Sequence, residues 1–267
     1  MRVNRVLAIV LRQLYLMRGS PARLFPLFVW VAIDIVLWGF ITRYLNSVAD
    51  APIDFVPALL GAVLLWDFLS RVMQGVSTTF LEDVWSRNFL NLFATPLSIS
   101  EYVAGLVASS ILTSLVVLAV MLALAYSAFG LSFLVYGLLL VPFLLVLFLF
   151  GIALGIFVSA CVLRLGPASE WFVWPVPAMI SPFAGVFYPI ATLPAWMQWI
   201  AHALPPSYVF EGMRAVIAGR PFSGASLAIG AALALLYILL AYAFFARVHR
   251  RALRTGLIAR YSAETVS

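Results

Sequence analysis

The chain has 267 residues, 65% of them hydrophobic and only 10% charged, with a mean hydropathy of +1.10. A soluble domain carries about 25% charged residues, so this composition excludes a soluble globular protein and reads as an all-α integral membrane protein. The formal net charge is +6 and all 16 basic residues are arginine. Without lysine the Gly-rich phosphate loop ending in Lys-Ser/Thr cannot be built, so any ATP that drives the protein binds another chain. Cys161 stands alone, which rules out an intrachain disulfide and reads as a small buried hydrophobe.

The first element is expected within residues 1–22. Arg2, Arg5, Arg12 and Arg18 interleave with Val3, Val6, Leu7, Val10, Leu14 and Met17, which recur at helical spacing. That pattern predicts an amphipathic helix lying in the headgroup layer, with the arginines largely on other faces, and not a cleavable leader. Six transmembrane helices are expected to follow, at roughly 24–45, 55–78, 102–129, 133–162, 168–189 and 225–246. With the N-terminus inside, 12 of the 16 arginines fall at the cytoplasmic face and only Arg43, Arg214 and Arg220 outside. Both termini, including a tail at 247–267, are therefore expected in the cytoplasm. Residues 1–267 are read as a single transmembrane domain.

Asp34, Asp67 and Arg71 fall inside spans, where ionisable groups are expensive. Asp67 and Arg71 are four apart with the acid first, the favourable order on a helix face. An ion pair, local or between helices, is the simpler reading; the other puts Asp34 on the wall of a polar path. Trp30, Trp38, Phe40, Trp171, Phe172, Trp174, Phe187 and Tyr188 crowd the first and fifth spans. They suit packing and lipid-facing roles, or stacking surfaces for sugars and lipid-like cargo. The pathway candidates are Trp30, Asp34, Trp38, Asp67, Arg71, Trp171, Trp174 and Phe187.

Between the second and third spans, residues 79–98 form a long connection. Glu82 and Asp83 suit a helix N-terminus, and Trp85, Phe89, Leu92 and Phe93 recur at helical spacing. Pro96 stops that helix, and Ser98 with Glu101 has the spacing of a capping box that starts the next one. The segment predicts a short amphipathic cytoplasmic helix, docked on a partner or resting on the inner leaflet. In the fourth span, Gly151 and Gly155 form a small-xxx-small pattern for close helix packing.

After the fifth span the chain becomes anomalous: 7 of its 15 prolines lie between Pro175 and Pro206. Proline resists a helix interior, and broken backbone survives at membrane depth only inside protein or beside water. Two short helices separated by a turn are expected, near Pro194–Leu204 and Tyr208–Ala218, with Pro194 and Pro206 at or just before their starts. Trp196, Trp199 and Tyr208 suit the membrane interface. His202 and His249 fall on opposite sides, and no HExxH is present. No catalytic set and no metal site are expected.

From Arg87 to Gly105 the chain reads R-N-F-L-N-L-F-A-T-P-L-S-x-x-E-Y-x-x-G, and from Ser181 to Arg214 it reads S-P…Y-P…L-P…P-P-x-Y…R. With the amphipathic N-terminal helix and the six spans, these motifs resemble the permease subunit of an ABC type 2 exporter, the group serving polysaccharide, teichoic-acid, lipid and drug export. The family carries Asn where this chain has Pro205. The resemblance implies that Glu82, Asp83, Trp85, Arg87, Phe89, Leu92, Phe93 and Pro96 belong to a coupling helix in a groove of an ATP-binding subunit. It implies that residues 189–223 form re-entrant outer gate helices, with Pro182, Tyr188, Pro189, Pro194, Trp196, Pro205, Pro206, Tyr208, Glu211 and Arg214 as gate residues.

It further implies export of an amphiphilic, lipid-linked or polysaccharide substrate across a bacterial inner membrane. Two ATP-binding subunits and a second permease copy, identical or a close paralogue, are the expected partners besides the lipid bilayer; no nucleic acid is expected. ATP and Mg would sit on the partner, and no cofactor on this chain. The alternative function is an ion-coupled secondary transporter or channel, but neither an inverted repeat nor a tight run of intramembrane acids stands out in its favour.

Overall fold

The computed structural model describes residues 2–19, 21–48, 56–86, 89–166, 169, 171 and 173–255, and among them no strand occurs. The helices are α1 (Val3–Arg18), α2 (Pro21–Val48), α3 (Gly61–Trp85), α4 (Phe89–Ala94), α5 (Ile99–Phe129) and α6 (Leu140–Leu165). They continue with α7 (Pro175–Ile180), α8 (Ala195–Ala203), α9 (Pro205–Ile217) and α10 (Gly224–Arg254). A π-helical turn, Val56–Leu60, leads into α3, and a 3₁₀ turn, Phe133–Leu139, leads into α6.

The start of α5 follows from local sequence. Ser98 Oγ accepts from the Glu101 N–H at 3.3 Å while Glu101 Oε2 accepts from the Ser98 N–H at 3.1 Å, the reciprocal box expected from their spacing. Its end follows too, because Gly130 takes a left-handed φ of 68° that closes the helix.

α3 and α6 are the centre of the bundle, with α5 and α10 packed against them. The glycines of α6 make this approach possible. A Cβ on Gly155 would lie 2.7 Å from Val76 Cβ and 2.8 Å from the Met73 carbonyl oxygen, and one on Gly151 would lie 2.9 Å from the Leu69 carbonyl oxygen. Backbone therefore meets backbone with no room for a side chain. Deeper in the bundle, the fully buried Phe80 of α3 takes Tyr102 of α5 and Phe245 of α10 edge-on, at 6.4 and 5.8 Å between ring centroids.

Among the described residues, five helical stretches are long and apolar enough to cross a membrane: Phe28–Val48, Val56–Trp85, Ile99–Phe129, Phe133–Leu165 and Gly224–Arg254. The span expected at 168–189 is not a continuous helix in the described residues. α7 has six residues and is followed by turns through Tyr188; at 1.5 Å per residue it covers only about 9 Å. Pro177 and Pro182 withhold backbone donors where a helix needs them. Gly185, at φ 64°, breaks the direction outright. Glu170 and Phe172 lie outside the described residues.

The chain nonetheless returns along the bundle here. Phe150 of α6 meets Tyr237 of α10 at 5.4 Å, and Phe157 meets Phe244 at 5.7 Å. The pairing advances in the same sense on both helices, so α6 and α10 run parallel, and residues 166–223 must travel back between them. Trp174 shares a cavity with Trp30 of α2, and Phe187 stacks on Trp38 one helical stretch further along α2, at 5.3 Å with the rings 11° apart.

If the glycine contact organises the bundle, Gly155→Leu should lower its stability by about 1–3 kcal/mol through overpacking. Gly224→Leu, where a Cβ meets nothing within 4 Å, should leave it unchanged. Thermal unfolding of the purified protein in one detergent reads both; equal midpoints for the two variants would contradict the packing assignment.

Candidate functional site

A polar stripe runs down α3. Asp67, Arg71, Gln74, Thr78 and Glu82 recur on α3 at three- and four-residue steps, so they share one face. That face opens on a cavity of about 380 Å³, walled also by Gln13 of α1, Asp34 and Trp30 of α2, Ser109 and Ser114 of α5, and Trp174. Arg71 Nε donates to Asp67 Oδ2 at 3.1 Å, which is the local ion pair expected from the sequence. Five of the pathway candidates thus meet in one space: Trp30, Asp34, Asp67, Arg71 and Trp174. Trp38 and Phe187 form a separate stacked pair, and Trp171 is exposed and not part of the cavity wall. Gln13, Gln74, Thr78, Ser109 and Ser114 were not singled out from sequence; the signal was the regular polar spacing on α3 and the Ser109-Thr113 step on α5.

At the end of the cavity lies a set of ion pairs that fastens α1. Asp83 Oδ1 accepts from Arg12 Nη2 and Asp83 Oδ2 from the Tyr102 hydroxyl at 2.8 Å, with Asp83 buried. Nearby, Glu101 Oε1 accepts from the Arg2 backbone N–H at 2.8 Å and Glu101 Oε2 from Arg5 Nη1 at 3.1 Å. Between the two clusters Ile9 rests on Gly105, where a Cβ would stand 2.7 Å from Ile9 Cβ. α1 is helical as expected, but its charged face carrying Arg5 and Arg12 meets the protein, while Val3, Leu7, Leu11 and Leu14 are exposed.

This changes the reading of the connection at 79–98. Glu82 and Asp83 do not begin a new helix: α3 continues through Trp85, and both acids sit in its last turn. An acid is unfavourable at a helix C-terminus; for Asp83 the Arg12 guanidinium and the Tyr102 hydroxyl supply the compensation. The expected stripe is therefore divided, with Trp85 exposed at the end of α3 and Leu92 on the separate α4. Leu92 and Pro96 line a groove of about 290 Å³ against Arg5, Ile9 and Arg12 of α1. Arg87 lies outside the described residues, as do the side chains of Phe89 and Phe93.

At the opposite end, the two expected short helices are present as α8 and α9. Pro194 caps α8, and Pro205 and Pro206 occupy the first turn of α9, where a missing N–H costs least. Glu211 and Arg214 of α9 hold the broken chain before them. Glu211 Oε1 accepts from the Ile190 N–H at 2.7 Å and from Arg214 Nη2 at 2.9 Å, while Arg214 Nη1 donates to the Gly185 carbonyl at 2.7 Å. Tyr188 donates its hydroxyl to the Pro182 carbonyl and Tyr208 to that of His202, each at 2.7 Å. Pro189 begins a 3₁₀ turn, and Trp196 packs edge-on against Phe183 at 6.2 Å.

Against known proteins, the family model described as ABC-2 type transporter matches residues 5–218, most of the chain. No curated protein matches it.

The clamp on α1 can be tested by unbalancing it. Arg12→Ala leaves Asp83 buried without its cation and should destabilise by about 3–5 kcal/mol, whereas Arg12→Ala with Asp83→Asn, which removes both charges, should recover part of that loss. Thermal unfolding and the rate of tryptic cleavage within α1 give the comparison. A double variant no better than Arg12→Ala would mean that the pair does not hold the helix.

Proposed function

We propose, from the premise that the chain belongs to the ABC-2 type transporter family and is the non-catalytic membrane subunit of an ABC transporter, that it forms half of an export path driven by a separate ATP-binding subunit. The observation that carries this reading is the family match over residues 5–218. The cargo is an amphiphilic, lipid-linked or polysaccharide molecule leaving the cytoplasm of a bacterium through the inner membrane. Two permease copies, identical or closely related, join two ATP-binding subunits that hold ATP and Mg.

Six crossings are supported by the parallel run of α6 and α10, since the intervening chain must return over the same height. The fifth crossing is then the broken stretch around α7, and the arginines at the ends of α1 and α10 favour cytoplasmic termini. Residues 85–98 form the coupling element, with Trp85 and α4 as the surface offered to the ATP-binding subunit. This surface is bracketed by Asp83 and Glu101, the two acids that fasten α1, so a push on it reaches α1 directly. Glu211 and Arg214 support a gate role for α8 and α9, because they fix the outer pair to the broken crossing.

Topology is read from single cysteines in a Cys161→Ala background. Ala94→Cys and Arg220→Cys, both exposed, should react with an impermeant thiol reagent from opposite sides; reaction from the same side contradicts six crossings. Coupling is read from Trp85→Ala combined with Phe89→Ala. Loss of a buried aromatic anchor at an interface costs about 2 kcal/mol or more, so the ATP-binding subunit should no longer copurify or its hydrolysis should no longer respond to cargo. Wild-type values for both, normalised to inserted permease, would remove residues 85–98 from the coupling role.

A further inference from the structure

We infer that the cavity between α1, α2, α3 and α5 takes the protonated amine head of an amphiphile, with the apolar body of the ligand lying against Trp30 and Trp174. This rests on the permease reading and names a class of cargo for it. Two side chains in the wall are buried and wait for a partner. Gln13 is 3% exposed and Ser114 2% exposed; Gln13 Nε2 and Ser114 Oγ have no hydrogen-bond partner among the described residues. Both line the cavity. Buried polar atoms are seldom left unpaired, because each has given up its hydrogen bond to water. Turned about its last bond, Gln13 presents its amide oxygen to the cavity, and that oxygen and the Ser114 hydroxyl oxygen can both accept from an ammonium.

Charge decides which head fits. Arg71 is engaged by Asp67 at 3.1 Å. Asp34 lines the same space and makes neither a hydrogen bond nor an ion pair among the described residues. A carboxylate at membrane depth is costly without a cation, and an ammonium donates hydrogen bonds to it as well as neutralising it. An anionic head would face Asp34 with like charge. A neutral sugar head would satisfy Gln13 and Ser114 but bring no cation to Asp34, which shares the single positive charge of Arg71 with Asp67. Trp30 and Trp174 line the cavity and are also 55% and 63% exposed, so they stand where the cavity opens; indole faces attract cations. The volume, about 380 Å³, is that of a site for a small amphiphile.

Three probes sharing one fluorophore separate these cases: dansylcadaverine, which carries a free amine; its N-acetyl derivative, neutral and nearly the same size; and dansyl-aminohexanoate, an anion. Binding is followed by fluorescence anisotropy on the full chain in nanodiscs of zwitterionic lipid, with empty nanodiscs as the blank. The amine should bind about tenfold or more tightly than either other probe, and Asp34→Asn should abolish that preference. Gln13→Leu and Ser114→Ala should each weaken the amine several-fold without restoring the neutral probe.

Equal binding of the amine and its acetyl derivative to the wild-type chain overturns the proposal without relying on any variant. Displacement of the amine probe by octyl glucoside but not by octylamine would assign the cavity to sugar heads instead and would also overturn it. The permease reading fails separately. Amine-selective binding with no copurifying ATP-binding subunit would keep the site and discard ATP coupling. A copurifying, cargo-responsive subunit with no amine selectivity would keep the permease and discard this site.

Discussion

α6 and α10 run in the same direction, and the end of the molecule that carries α8 and α9 answers to that constraint. Parallel neighbours require the chain between them to travel back along the bundle, and the described residues of 166–223 do so without a long helix. Backbone outside a helix keeps free N–H and C=O groups, which lipid cannot satisfy. Side chains of α9 and of the segment itself meet them: Arg214 reaches the Gly185 carbonyl, Glu211 takes the Ile190 N–H and Tyr188 takes the Pro182 carbonyl. The prolines fit the same account, since each removes a donor that would otherwise need a partner. A continuous helix would have needed none of these contacts, and it would also have left no turn for α8 and α9 to hold.

The end of the bundle that carries α1 and α4 is organised by acids that face arginines of α1. Asp83 and Glu101 close the end of α3 and the beginning of α5, and both reach across to the same helix. α1 is therefore an amphipathic helix that presents Arg5 and Arg12 to the protein and its leucines outward, an arrangement suited to the border between protein and acyl chains. The residues between the two acids are the proposed coupling surface, and the ion pairs join both of its ends to α1. α1 in turn contributes Gln13 to the polar cavity. One helix thus touches both the proposed coupling surface and the proposed cargo site.

The cavity itself is a compromise between packing and polarity. Its walls come from four helices and Trp174, and several of its polar groups are held by short local bonds, such as Thr78 to the Gln74 carbonyl at 2.6 Å and Thr113 to the Ser109 carbonyl at 3.1 Å. Those bonds spare the hydroxyls the cost of burial. On the far side of α3 the opposite solution holds, with Gly151 and Gly155 bringing α6 into direct backbone contact. One face of α3 is sealed and the other is open, which makes it the divide between the core and the polar space.

Interactions within a few residues were legible from the sequence alone. The Ser98–Glu101 box, the Asp67–Arg71 pair, the close approach at Gly151 and Gly155, and the two short helices after Pro194 and Pro205 all follow from spacing and residue type. Family membership was legible too, from motifs that lie almost wholly within the matched range. What the sequence did not decide depends on neighbours far along the chain. The apolar run at 168–189 has the composition of a span, and only the direction of α6 and α10 with the carbonyl-binding Arg214 allows it to stay broken. Asp83 has the local signature of a helix start, and it closes a helix because Arg12, distant in sequence, compensates its charge. The gathering of Asp34, Arg71, Gln13 and Ser114 into one cavity belongs to the same class, since no single helix carries more than part of it. Local spacing determined where helices begin and which side chains pair along them; tertiary packing decided which way charged faces turn, because a buried charge goes where its partner is.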